Sequence, residues 1–254
     1  MKPLKIKDKL LGDGVPKIIF SLMDGKIDDA LKTIELAKKS HVDCIEYRGD
    51  WALDIMDLEK MKANARRVRA AFPDHPLLFT FRSIAEGGHR DVEVDYYVKL
   101  NKELAKTGCF DMVDVESWIG DEKVKHTIDF VHKYSVKVIN SYHNFKKTPS
   151  QKWMVSLMRH MQDLGADIPK VAVMAKTAKD ALALLGATEE MTRKYSKGPI
   201  LTMAMGKPGV ISRVSGEFFG SCLTFCALKA ASAPGQVSVA DAHDIMQKFH
   251  KYIQ

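Results

Sequence analysis

Residues 136–143 read Val136-Lys137-Val138-Ile139-Asn140-Ser141-Tyr142-His143, and residues 167–174 read Asp167-Ile168-Pro169-Lys170-Val171-Ala172-Val173-Met174. Both stretches are short, apolar and rich in β-branched residues, which is the character of strands. Between them, residues 150–164 carry apolar side chains at helical spacing, opened by Ser150 as a capping residue. Near-continuous apolar character marks strands covered on both faces, as in a parallel sheet. One strand–helix–strand unit is legible here.

The pattern repeats outward to both ends. Apolar runs at 17–23, 42–48, 76–82, 112–116, 200–205 and 223–228 alternate with helical patterns at 28–40, 54–71, 96–107, 121–134, 178–195 and 239–252. Asp121 and Ser238 are read as further helix caps, and residues 210–221 as the eighth helical connection despite Gly216 and Gly220. Eight such units in 254 residues predict an α/β fold, a (β/α)8 TIM barrel spanning residues 1–254 as a single domain. An open doubly wound sheet would need a glycine-rich phosphate loop after its first strand, and Ser21-Leu22-Met23-Asp24-Gly25 is no such loop. Residues 5–14 read as an extra β-hairpin closing the bottom of the barrel.

A composition of 46% hydrophobic and 28% charged residues excludes a disordered chain, a collagen and a disulfide-stapled miniprotein. The net charge of +7 is scattered: the tightest groups are Arg66-Arg67-x-Arg69 and Lys146-Lys147. It reads as solvated surface or as steering of a small anionic substrate. Nucleic-acid binding would need a recognised motif or a contiguous basic stripe with aromatics, and neither is present in the sequence. Cys44, Cys109, Cys222 and Cys226 form no CxxC pair and no zinc-site spacing, so no metal is expected. Cys222 and Cys226 are read as small buried side chains. No signal-peptide core follows the first charges, and Ile18-Ile19-Phe20 is too short to span a bilayer. A soluble protein of the reducing cytoplasm, with no membrane partner, is the expectation.

In barrels of this kind functional side chains gather at the C-terminal ends of the strands and in the loops that follow. Those places hold Ser21, Glu46 with Arg48, Arg82 with Glu86, Glu116, His143, Lys170, Arg213 and the loop Ser232-Ala233-Pro234-Gly235-Gln236. Alternation puts Lys170 and Ala172 on one face of their strand, and Val171 and Val173 on the other. The valine face suits the outer helices, so Lys170 points into the barrel. Desolvation there lowers an amine's proton affinity and frees it to attack a carbonyl. The competing reading is a strand-end lysine snorkelling to solvent. His143 can move protons near neutrality, or it is a core histidine bonded to backbone. Arg213, after Gly206-Lys207-Pro208-Gly209, can grip a carboxylate with two parallel bonds, or pair with Glu217. The 232–236 loop is a lid or a plain turn.

Six segments together resemble the type I 3-dehydroquinate dehydratase family along essentially the whole chain. They are Ile45-Glu46-Tyr47-Arg48, Phe79-Thr80-Phe81-Arg82-Ser83 with Glu86-Gly87-Gly88, Ser141-Tyr142-His143-Asn144-Phe145, Ile168-Pro169-Lys170-Val171-Ala172, Gly209-Val210-Ile211-Ser212-Arg213 and Ser232–Gln236. The resemblance implies a cofactor-free dehydration of 3-dehydroquinate in a protein that is commonly a homodimer. It assigns Lys170 to the Schiff base, His143 to acid/base work and Glu86 to orienting that histidine. Arg213 is then the carboxylate clamp, Glu46, Arg48 and Arg82 hold ring hydroxyls, and Ser21, Ser232 and Gln236 make further substrate contacts. Tyr47, Tyr142 and Ala175-Lys176 depart from the family pattern. A class I aldolase on a phosphorylated substrate is the alternative, with Gly206–Gly209 and Gly235 as its phosphate loops.

Overall fold

Alternation along each strand decides what the middle of this molecule contains. The computed structural model describes residues 2–253. A hairpin of β1 (Leu4–Ile6) and β2 (Lys9–Leu11) precedes eight parallel strands: β3 (Lys17–Leu22), β4 (Cys44–Arg48), β5 (Leu77–Thr80), β6 (Met112–Glu116), β7 (Lys137–Asn144), β8 (Ile168–Met174), β9 (Leu201–Met205) and β10 (Leu223–Cys226). Around them lie α1 (Ile27–Ala37), α2 (Leu58–Ala71), α3 (Val94–Lys106), α4 (Asp121–His132), α5 (Gln151–Asp163), α6 (Ala178–Lys194), α7 (Ile211–Val214), α8 (Gly216–Phe219) and α9 (Val239–Ile253). From β3 to β9 each strand pairs with the next in sequence, β10 pairs with β3, and between β9 and β10 there is only an isolated bridge at Ile200 and Ser221. This is the predicted TIM barrel.

Closure between β9 and β10 is thin. Cys222 N donates to Ile200 O at 2.9 Å, and Ser221 Oγ accepts from Thr202 N at 3.0 Å. A serine hydroxyl stands in for a ladder bond at that seam.

The interior is layered. Ile19, Cys44, Leu78, Met112, Ile139, Ile168, Leu201 and Leu223, one from each strand, form an apolar floor. Ile6 and Leu11 of the hairpin pack against it, so the hairpin plugs the bottom as expected. Burying a leucine side chain such as Leu11 contributes about 1.5–3 kcal/mol. Two residues further along the same strands stand Ser21, Glu46, Thr80, Asp114, Ser141, Lys170, Met203 and Phe225, all buried. Polar groups therefore enter at the second level, where the strands approach their C-terminal ends. Outward-facing Val171 and Val173 pack with Met154 and Met158 of α5 and Leu184 of α6.

Some local expectations are corrected. Residues 54–57 form a turn, and α2 starts at Leu58 because Asp57 accepts from Lys60 N at 3.1 Å and caps it. Gly120, not Asp121, holds the cap position of α4; Asp121 lies in the first turn, where a carboxylate meets the positive helix end. Ser150 and Ser238 do cap their helices. The eighth connection breaks into α7 and α8. A Cβ at Gly216 would sit 2.7 Å from Pro16 and 2.8 Å from Ser221 O, so glycine permits that close packing. β8 runs from Ile168 to Met174 within the stretch read as a strand, and its pairing with β7 continues on both sides of Pro169.

Candidate active site

At the C-terminal ends of the strands a pocket encloses about 420 Å³ of unfilled space, open solvent included. Its lining includes Ser21, Glu46, Arg48, Arg82, Glu86, His143, Lys170, Arg213, Ser232 and Gln236. The ten residues to which the resemblance gives a role converge there; Glu116, also singled out at a strand end, is not in the lining and instead pairs with Arg82. Apolar walls come from Ala172, Met203, Met205 and Phe225.

Lys170 is 3% exposed, which removes the snorkelling alternative. Its Nζ lies 3.3 Å from Asp114 Oδ2 and 4.6 Å from the centre of the Phe225 ring. Burial pulls its pKa below the ordinary ammonium value; Asp114 opposes the shift and Arg82 adds to it. Asp114 was not singled out in the sequence. Burial works against its charge as well, yet Arg82 and Lys170 hold its carboxyl below the usual range. Alternation in β6 places Met112, Asp114 and Glu116 on one face, and that signal would have found it.

The cations differ in how they are answered. Arg82 meets three carboxylates, with Nη1 at 2.6 Å from Glu116 and 3.6 Å from Glu86, and Nη2 at 2.8 Å from Asp114. Arg48 makes two 2.7 Å bonds to Asp50, another acid the sequence reading missed. Arg213 is 1% exposed, and among the described residues its guanidinium bonds only to Met203 Sδ at 3.6 Å and the carbonyls of Phe225 and Pro234, each at 3.4 Å. Its Nε has no hydrogen-bond partner among the described residues, and burial pushes its pKa down to about 10. Glu217, the alternative partner, pairs with His250 at 2.7 Å instead. A buried guanidinium without a carboxylate marks a place for an anion.

His143 and Glu86 form one unit. Glu86 Oε2 lies 2.7 Å from His143 Nδ1 and accepts from His143 N at 3.1 Å. Nε2 is left without a hydrogen-bond partner among the described residues. Burial, with Arg82, Lys170 and Arg48 nearby, drives the imidazole well below its ordinary pKa. Burial raises Glu86 to about 8, Arg82 pulling the other way and Glu116 and Asp114 adding to the rise. The two shifts run in opposite directions, so each group favours its neutral form and the two share one short hydrogen bond between Oε2 and Nδ1.

The remaining residues connect the strands to the mouth. Glu46 accepts from Ser21 Oγ at 2.5 Å and from Thr80 Oγ1 at 2.8 Å. Ser232 Oγ donates to Ser21 Oγ at 3.2 Å, and Gln236 Nε2 donates to Ser232 Oγ at 2.7 Å. Gly206 N donates to Pro234 O at 3.1 Å. Gly235 has φ of 77°, and a Cβ there would stand 2.7 Å from Gly206 O. The loop lies folded over the pocket, drawn in by contacts that a plain exposed turn would lack.

A family model described as type I 3-dehydroquinase matches residues 18–253. The chain belongs to the type I 3-dehydroquinase family. It is 44% identical to the 3-dehydroquinate dehydratase of Salmonella agona (strain SL483), covering 99% of this chain and 100% of that one. Type I 3-dehydroquinate dehydratase from Clostridium difficile superposes with a TM-score of 0.96 at 43% identity, over 99% of each chain. The 3-dehydroquinate dehydratase of Geobacillus kaustophilus gives the same TM-score at 33% identity, over 100% of this chain and 98% of that one. The curated names are those of a hydro-lyase.

In this type I 3-dehydroquinase Tyr47, Tyr142 and Ala175-Lys176 all lie outside the pocket lining. Tyr47 is buried against Phe79 and Phe110. Tyr142 packs on Trp153, and its hydroxyl accepts from Asn144 Nδ2 at 2.9 Å. Lys176 is exposed before α6, its backbone N bonded to Asp180. The four cysteines are free and buried.

Proposed function

We propose that this enzyme dehydrates 3-dehydroquinate to 3-dehydroshikimate through an imine on Lys170. One observation carries the reading: a buried amine and a buried guanidinium lacking a carboxylate share one pocket with a histidine–carboxyl pair. The substrate is a β-hydroxy ketone bearing a carboxylate, so it has a group for each. Support for covalent chemistry comes from the Clostridium difficile relative, whose structure carries covalent modified comenic acid.

The Lys170 ammonium gives up a proton so that its amine can add to the ketone carbon, and the carbonyl oxygen leaves as water with two of the three protons that the nitrogen carried. The protonated imine that remains is a strong electron sink. His143 Nε2 takes the adjacent ring proton, giving an enamine. The same imidazolium then protonates the leaving hydroxyl, so proton and hydroxyl depart from one face. Hydrolysis of the conjugated imine releases product and restores Lys170. Glu86 holds the imidazole in position. Glu46, Arg48, Arg82, Ser21, Ser232 and Gln236 bind the ring hydroxyls and close the site. The reading includes a homodimer, taken from the family resemblance, and a cytoplasmic location, taken from the sequence and its unpaired cysteines; no helix among the described residues is long and apolar enough to cross a membrane.

Incubation with 3-dehydroquinate and borohydride, followed by intact mass and peptide mapping, tests the reading. A reduced adduct on Lys170, dependent on substrate, is expected. No adduct together with no loss of water from the substrate rejects it. Arg213→Ala is expected to lower kcat/KM by roughly 30- to 5,000-fold, since losing one partner of a buried charge pair costs about 2–5 kcal/mol. Arg213→Lys should recover part of that loss, because it restores charge without the paired bonds. Wild-type kinetics in Arg213→Ala would remove the clamp from the mechanism.

A further inference from the structure

We propose that Asp114 is the counter-ion of the reacting nitrogen, balancing the Lys170 ammonium before reaction and the protonated imine during it. The inference rests on the imine chemistry proposed above and adds a residue to it. Asp114 is fully buried on β6 and faces the barrel interior. Oδ1 accepts from Ser141 Oγ at 2.6 Å, while Oδ2 lies 2.8 Å from Arg82 Nη2 and 3.3 Å from Lys170 Nζ. Among the described residues it is the one carboxylate within salt-bridge distance of that nitrogen.

Charge balance explains the need. An ammonium and a ketone give a protonated imine and one water, so the positive charge stays on the same nitrogen. A counter-ion placed for the first state serves the second without moving. The other charged groups facing this space are Glu46, Arg48, Arg82, Glu86, Glu116, His143 and, across the pocket, Arg213. Arg48 is answered by Asp50, and Glu116 is held by Arg82 and Trp118. Without Asp114 the nitrogen would face the Arg82 guanidinium with no carboxylate within salt-bridge distance among the described residues, Glu46 acting on it only from further away. A buried imine so placed sheds its proton, and a neutral imine withdraws electrons poorly from the neighbouring carbon.

Asp114→Asn keeps the shape and removes the charge. Cyanoborohydride, which reduces protonated imines selectively, reads the outcome as a function of pH. Removing a neighbouring negative charge disfavours the charged form, so the proton leaves at lower pH. The pH of half-maximal trapping, and both limbs of the kcat profile, should move down by about 1–3 units. A residue that only positions Arg82 would lower the height of the profile, or raise KM, and leave the limbs in place; that result overturns the proposal. Wild-type protein is run in parallel: if it yields no adduct, the imine reading itself fails. If Asp114→Asn does not fold, Ser141→Ala removes one donor from the same carboxylate and keeps its charge. A carboxylate with one donor fewer holds the neighbouring cation more strongly, so the limbs should move the opposite way, upward and by less, and unmoved limbs overturn the proposal.

Discussion

Lys170→Ala is expected to yield no borohydride-dependent adduct and to lose roughly 10⁵-fold or more in kcat/KM, the scale of a well-oriented intramolecular nucleophile. The ring proton next to an unactivated ketone is too weakly acidic for His143 to remove at a useful rate. Everything downstream depends on the electron sink that Lys170 creates. The substitution should leave the fold intact. Lys170 is a cation buried in the barrel at a desolvation cost, and Asp114 keeps Arg82 as a partner when the amine is gone. Lys170→Met, which fills the same space, is expected to melt at or above the wild-type temperature and to be equally inactive. Turnover near wild type in either variant, with a native melting curve, would sink the covalent mechanism.

His143→Ala is the second large effect, with the opposite signature in the trapping experiment. General acid–base groups contribute about 10²- to 10⁴-fold, and kcat should fall by that order. Imine formation needs only the amine and the ketone, so the adduct should form and accumulate. Single-turnover mass spectrometry would show a Lys170 adduct with the mass of the imine before water is lost from the ring. An adduct already at the dehydrated mass would mean that another group removes the proton. Glu86 would then be the candidate, since burial raises it to about 8 and leaves it close to a base suited to neutral pH.

How much of this was legible in the sequence follows from what periodicity can encode. The two-residue period of strands fixes which side chains face inward, so Lys170, Ala172, Val171 and Val173 were placed correctly from their order alone. The same rule applied to β6 predicts an inward Asp114, but a single acid within an apolar run carries no mark of its partner. Arg82 lies 32 positions before Asp114 and 34 before Glu116, and their contact depends on inter-strand register. Periodicity along one strand is silent on that. For the same reason the arginines looked alike in sequence. Arg48 has Asp50 two residues away, whereas Arg213 has Glu217 one helical turn on, and only the break between α7 and α8 sends Glu217 to His250. Helix starts were misplaced where capping was decided by a side chain's reach, as at Asp57.

The thin seam between β9 and β10 has a consequence for the ligand. Arg213 sits in the connection that spans it, and the 232–236 loop hangs from its far side. Lys170 stands on β8, before the seam, while Ser21 and Glu46 stand on β3 and β4, beyond it. A molecule held at once by Lys170, Arg213 and the Ser21–Ser232 pair would join the hoop where backbone bonds are fewest. Substrate is then a clasp as well as a reactant. Its departure slackens the ring at the point where the product must leave.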